Sequence, residues 1–238
     1  MSARTVKRAA RLPRAQRIEE ILDAAREVFC ERGYEDTAVA EIAARIGVVE
    51  GTIFKYFENK RELLLKVLGN WYDELFGDYS QDLRGINGAK NRFRYLIWRH
   101  LSALHDYPAL CRLIFSEVRS RPDYLQSELH AMNRSYTSLL IEVVEEGARN
   151  GEFRNNLPLP LIRDLVYGCA EHHAWRFLYG TQQLDPECIA DQMTAVLCDG
   201  IADQRTNETL TQQAERLATI ADRLEKSVDR KTRVRTRR

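Results

Sequence analysis

No run of apolar residues in this 238-residue chain approaches the roughly eighteen that a membrane-spanning helix needs, and the N-terminus lacks an apolar secretory core. No membrane partner is expected, and a cytoplasmic location is. Also missing are G-x-G-x-x-G, the P-loop and H-E-x-x-H, so nucleotide and zinc chemistry have no signature. Cysteine is scarce: Cys30, Cys111, Cys169, Cys188 and Cys198 are odd in number, widely spaced and form no C-x-x-C. Reduced, mostly structural thiols follow from that spacing. No alternating strand pattern competes with helical periodicity anywhere in the chain. An all-α protein is expected, with no catalytic residues, no metal site and no cofactor.

What is present is a composition of 44% hydrophobic and 30% charged residues, enough to build a sizeable core. The net charge of +1 hides an uneven distribution. Residues 1–17 carry six basic residues and no acid, residues 223–238 carry eight basic residues against Glu225 and Asp229, and the stretch between is strongly acidic. A body of that sign is repelled from nucleic acid except where basic arms lead it. Residues 1–13 have no apolar periodicity and end at Pro13, so they read as a flexible arm. A solubilising tail is one reading of it; a DNA-contacting arm carrying Arg11, followed by Arg14, is the favoured one.

The chain is organised around Thr37 to Lys60, TAVAEIAARIGVVEGTIFKYFENK. Val39, Ile42, Ala43 and Ile46 recur at helical spacing, Gly47, Val48 and Val49 make a turn, and Ile53 and Phe57 of a second short pattern return to the same core. That is helix-turn-helix geometry, with Glu50 to Phe57 as the recognition element. Glu50, Thr52, Lys55 and Tyr56 fall on the outward face, where hydroxyls, an amine and a phenol suit phosphates and base edges. Glu50 has two readings: a surface acid favoured by the helix dipole, or an acceptor for a cytosine amino group. Gly51 permits close approach of the helix backbone to DNA or to the first helix. That first helix runs from about Arg14 to Arg32, with Ile18, Ile21, Leu22, Ala25, Val28 and Phe29 on one face and Gly33 closing it. Asp36 or Thr37 is expected to cap the second helix.

The stretch ILDAAREVFCERGYEDTAVAEIAARIGVVEGTIFKYFENKRELLLKVL resembles the N-terminal DNA-binding domain of the TetR family of bacterial transcriptional regulators. Its landmarks stand in register: Gly33 and Tyr34, Thr37, Ile42 and Ala43, Gly47 and Val48, Gly51, the F-x-Y-F of Phe54 to Phe57, then Asn59, Lys60 and Leu63. The resemblance implies DNA contacts from Thr52, Lys55, Tyr56 and Lys60, with Tyr56 and Lys60 on phosphates. With Thr37, Glu50, Gly51, Arg11 and Arg14 these make the expected DNA-binding set. Four positions depart from the family pattern: Ala38, Ala40, Val49 and Phe54 stand where hydrogen-bonding residues are usual. Losing a cap at Val49 costs an isolated helix on the order of 1 kcal/mol. The arginines of the arm are expected to supply the missing affinity.

Beyond this domain, taken as residues 14–62, the pattern stays helical to about residue 205, and residues 206–238 add a further helix with a basic tail. A helix from near Lys60 ends before Gly77, and Gly77 to Gly88 reads as a loop. Further helices are expected from Ala89 to before Pro108, then to before Pro122, then from Tyr124 to Asn150. Two more cover Leu161 to Tyr179 and, capped by Asp185, Pro186 to about Ile201. The last two are apolar on more than one face and carry small residues, so they are expected to form a homodimer interface as an intermolecular four-helix bundle, as the resemblance also implies. Cys169, Glu171, His172 and His173 share one helix, but adjacent histidines point about 100° apart and do not chelate together. Trp98, Arg112, Phe115, Tyr136, His172 and Trp175 are the candidate effector-binding residues. LIFSEVRS and EHHAWRF also resemble regulators that sense acyl-CoA thioesters, which makes an acyl-CoA the candidate small-molecule effector.

The expected protein is therefore a homodimeric, ligand-responsive regulator, a repressor on a palindromic double-stranded DNA operator. A constitutive DNA-binding repressor with no effector, and a helical enzyme or carrier with an incidental helix-turn-helix, are the competing readings.

Overall fold

The structure, a computed structural model, describes residues 13–77, 79–180, 182–202 and positions 214, 215, 217, 218 and 220. Among them ten α-helices follow one another: α1 (Arg14–Arg32), α2 (Val39–Arg45), α3 (Glu50–Ile53), α4 (Lys60–Phe76), α5 (Tyr79–Arg84), α6 (Ala89–Asp106), α7 (Pro108–Leu113), α8 (Glu128–Arg149), α9 (Leu159–Leu178) and α10 (Pro186–Ile201). A π-helical turn (Ile114–Arg119) and a 3-10 turn (Tyr124–Gln126) lie between α7 and α8. The described residues contain no strand beyond one isolated antiparallel bridge, Phe153 to Ala202. None of their helices is long and apolar enough to cross a membrane. All five cysteines are free thiols.

The first four helices make the head. Ile21, Ala25, Val28 and Phe29 of α1 close over Ile42 and Ala43 of α2, Ile53 and Phe57, and Leu63, Leu64 and Leu68 of α4, all buried. Gly47 at φ 67° lets the chain turn between α2 and α3 in a conformation that side chains disfavour. α4 then continues into the body, where α6 is the central helix, packed against α8, α9 and α10. The boundary expected after residue 62 falls inside α4, so one helix belongs to both parts.

Four expectations need correction. Gly77 to Gly88 is not a plain loop, because Tyr79 is fully buried and stacks on Tyr136 at 5.5 Å, which holds α5 in place. The helix expected through Val118 widens into the π turn at Ile114. The helix expected from Tyr124 breaks at Ser127, whose Oγ accepts from the His130 amide at 3.1 Å and starts α8 afresh. The cap of α2 is Ala38, with no side-chain cap; the Thr37 hydroxyl instead donates back to the Gly33 carbonyl at 2.5 Å. Asp185 does cap α10, accepting from the Cys188 amide at 3.0 Å. The arm with Arg11, and the expected C-terminal helix and tail apart from the five positions above, lie outside the described residues.

Candidate functional site

Among the described residues, the head carries exposed chemistry and the body encloses some. On the head, α3 is short, and its backbone tightens at once into three-residue turns, Lys55 amide to Thr52 carbonyl at 3.3 Å and Tyr56 amide to Ile53 carbonyl at 2.9 Å. Ile53 and Phe57 anchor the element from below, which leaves Glu50, Gly51, Phe54 and Lys55 exposed and Thr52 and Tyr56 partly so. Val49, with no cap to offer, stands 74% exposed at its start. An exposed valine and phenylalanine beside a lysine and a carboxylate make a surface suited to sugar and methyl groups as well as to polar base edges. Arg14, at the start of α1, reaches over the Tyr56 ring, its guanidinium 5.2 Å from the ring centre. The start of α1 therefore lies beside the recognition element.

Thr37 and Lys60 do not join that surface. Thr37 is buried. Lys60 Nζ donates to the carbonyls of Tyr34 at 2.7 Å, Thr37 at 3.0 Å and Glu35 at 3.3 Å, and sits 4.4 Å from the Tyr34 ring centre. An ammonium has three protons, and the turn between α1 and α2 takes all of them. The phosphate contact expected of Lys60 would compete with these three carbonyls for its protons.

In the body, a chamber of about 50 Å³ is lined by Trp71, Tyr72 and Leu75 of α4, His100, Ala103 and Leu104 of α6, and Ile114 and Phe115 of the π turn. A second, polar recess is lined by Arg134, Thr137, Arg163, Asp164 and Tyr167. His100, Arg119, Asn133 and Glu171 line both, so one space has an apolar interior and a polar vestibule. Arg119 and Glu171 pair across it, joining the π turn to α9. Arg163 pairs with its neighbour Asp164 at 2.8 Å. The His100 ring accepts or donates at Nδ1 with the Tyr136 hydroxyl, 3.0 Å away, and packs edge-on to Tyr167 at 4.9 Å. Burial, helped by the charge of Arg119, lowers the His100 pKa to about 4, so the ring is neutral near pH 7. Burial likewise holds the Tyr136 phenol well above its ordinary value.

A profile of bacterial regulatory proteins, tetR family, matches residues 21–67. A second, of the C-terminal region of YsiA-like proteins, matches residues 70–200, more than half of the chain. The chain belongs to the TetR family. Like its relatives it is a transcriptional regulator and not an enzyme. It is 26% identical to the fatty acid metabolism regulator protein of Bacillus subtilis over 182 residues, 76% of this chain and 94% of that one. It is also 26% identical to the HTH-type transcriptional repressor KstR2 of Mycolicibacterium smegmatis over 191 residues, 79% of this chain and 91% of that one. Among solved structures it is similar to the regulator FadR from Bacillus subtilis in complex with stearoyl-CoA. There the TM-score is 0.68 at 27% identity, covering 77% of this chain and 98% of that one.

Within this TetR fold, only two of the six candidate effector residues, Phe115 and Tyr136, reach the chamber. Trp98 packs beside Tyr95 at 5.7 Å. Arg112 donates to the Leu178 carbonyl at 3.1 Å and so closes the end of α9. His172 and Trp175 lie exposed on the outer side of α9, Trp175 stacked on Tyr179 at 5.1 Å. Sequence reasoning missed Trp71, His100, Arg119 and Asn133. The available signal was a histidine at position 100 and an arginine at position 119 within helices whose other inward positions are apolar.

Proposed function

We propose that this regulator is a homodimeric repressor whose operator binding is released by an acyl-CoA. The observation that carries the reading is the joining of an apolar chamber to a vestibule lined by Arg119, Arg134 and Arg163. A hydrocarbon chain suits the first, and the phosphates of coenzyme A suit guanidinium groups at the second. The similarity to a regulator with stearoyl-CoA bound supports the same class.

α4 supplies the coupling. Its far half lines the chamber through Trp71, Tyr72 and Leu75, and its first residue, Lys60, holds the turn that positions α2. Arg61 adds a second link, donating to the Glu117 carbonyl of the π turn at 3.1 Å. A ligand that displaces the π turn or α4 therefore tilts the head. It does so only if it binds the tilted form better than the DNA-bound one, and DNA must then weaken ligand binding by the same factor.

On the head, Glu50, Gly51, Thr52 and Lys55 read the major groove, while Tyr56, Arg14 and Arg11 hold phosphates. Dimerisation runs through α9 and α10, where Leu161, Leu165, Trp175, Tyr179 and Val196 are exposed on one chain. Leu161, Leu165, Gly168, His172, Trp175 and Tyr179 alternate at spacings of four and three along the exposed side of α9, the pattern of a helix–helix seam.

Fluorescence anisotropy on the DNA upstream of the chain's own gene, with a panel of acyl-CoAs and with free coenzyme A and free fatty acids as controls, tests the reading. Release by the thioesters alone is expected. Binding indifferent to every ligand would point to a constitutive repressor.

A further inference from the structure

Two residues that line the chamber each bury a polar atom that meets no hydrogen-bonding group of the protein, Trp71 Nε1 and His100 Nε2. Neither side chain is free to turn elsewhere. The Trp71 indole is held by edge contacts to Tyr72 at 5.5 Å and Tyr107 at 5.8 Å. The His100 ring is fixed by its Nδ1 contact to Tyr136 and by its edge-on packing with Tyr167. Leaving such groups unpaired in an apolar site is costly, and a purely hydrocarbon ligand would leave them so.

The two atoms lie at different depths. His100 lines both the chamber and the vestibule, as does Asn133, so it stands at the neck between them. Trp71 lines the chamber alone. In an acyl-CoA the thioester carbonyl is the oxygen nearest the coenzyme and so reaches the neck. A saturated acyl chain brings no oxygen further in. An indole N–H donates and never accepts, so an acyl group that pairs with it directly carries an acceptor oxygen of its own.

We propose that the effector is an acyl-CoA whose acyl group carries a hydroxyl or ketone oxygen that accepts a hydrogen bond from Trp71 Nε1, with its thioester carbonyl beside His100 Nε2 and Asn133 at the neck. This rests on the acyl-CoA reading above and narrows it. A site built to bond an oxygen rejects the analogue without it, because the analogue buries the donor unpaired. Trp71 belongs to α4, so the contact that selects the ligand falls on the helix that carries Lys60 and the head.

The test is calorimetric titration of the full chain with octanoyl-CoA and lauroyl-CoA, and with their analogues bearing one hydroxyl or one ketone at successive carbons. The best oxygenated analogue is expected to bind about fivefold to tenfold more tightly than its parent, the value of one hydrogen bond. Trp71→Phe, which keeps an aromatic ring and removes the N–H, is expected to bring that ratio to about one, with thermal melting used to verify its fold. Parent thioesters that bind as tightly as every oxygenated analogue would overturn the oxygen requirement and leave the acyl-CoA reading standing. So would a preference that survives in Trp71→Phe. Failure of every thioester to bind would overturn both.

Discussion

The head and the body of this regulator use the same helical material in opposite ways. The head packs a closed apolar core, from Ile21 to Leu68, and puts its chemistry outside, on Glu50, Thr52, Lys55 and Tyr56. The body puts its chemistry inside, with His100, Asn133, Arg119 and Glu171 around a chamber and apolar side chains such as Leu161, Leu165 and Val196 turned outward. A surface that meets DNA has to be rigid and fully packed beneath. An interior that accepts a ligand keeps polar groups that the protein alone does not satisfy. The difference predicts that substitutions under the head act through stability, whereas substitutions in the body separate stability from response.

The largest effect is expected under the recognition element. Ile53→Ala removes a side chain that is 1% exposed and should cost about 2–5 kcal/mol. Urea unfolding and operator binding should fall together, and operator affinity surviving that loss of stability would break the picture of a surface held from below. The matching test in the body is Gly147→Ala. An added Cβ would lie 2.3 Å from Phe153 Cδ2 and 2.7 Å from Ala89 Cβ, where α8 meets the start of α6. Overpacking there should cost about 1–3 kcal/mol, toward the upper end. A lowered melting temperature with operator affinity unchanged at 20 °C is expected, and weakened DNA binding at that temperature would show that the two regions are not separate.

Lys60→Met sharpens the comparison at the shared helix. Three carbonyls of the turn from Tyr34 to Thr37 would lose a charged donor, at a cost of about 1.5–3 kcal/mol. Operator affinity should drop for all sequences while its dependence on salt stays as in the parent, because no phosphate contact is removed. A salt slope reduced by about one would instead return Lys60 to the phosphate backbone.

These outcomes bear on how much the sequence discloses. The head was legible because its core is local: helical spacing fixed α1 at Arg14–Arg32 and the turn at Gly47, and the motif fixed the outward face of α3. What escaped there depends on where carbonyls point. Thr37 and Lys60 look like surface donors in the sequence, and only the folded turn between α1 and α2 gives them inward acceptors. In the body the helices were legible and the cavity was not. Its walls come from α4, α6, the π turn, α8 and α9, and spacing within one helix does not say which of its sides meets another. Trp98, Arg112, His172 and Trp175 share helices with chamber residues and face elsewhere, while Trp71 and His100 carry no motif at all.

The smallest expected effect separates the regions by pH. The His100 pKa lies near 4 in the folded chain, against an ordinary value of about 6.5 unfolded. Between those values the unfolded chain takes up a proton that the folded chain refuses, so stability is full above pH 6.5 and declines as pH falls toward 4. The slope from one such group is at most about 1.4 kcal/mol per pH unit. His100 lines the chamber, so the decline belongs to the body. His100→Gln removes the titration and should flatten the difference in stability between pH 6.5 and pH 5, measured by urea unfolding at fixed protein concentration. The same slope in parent and variant would mean that the chamber does not enclose His100 tightly enough to keep it neutral.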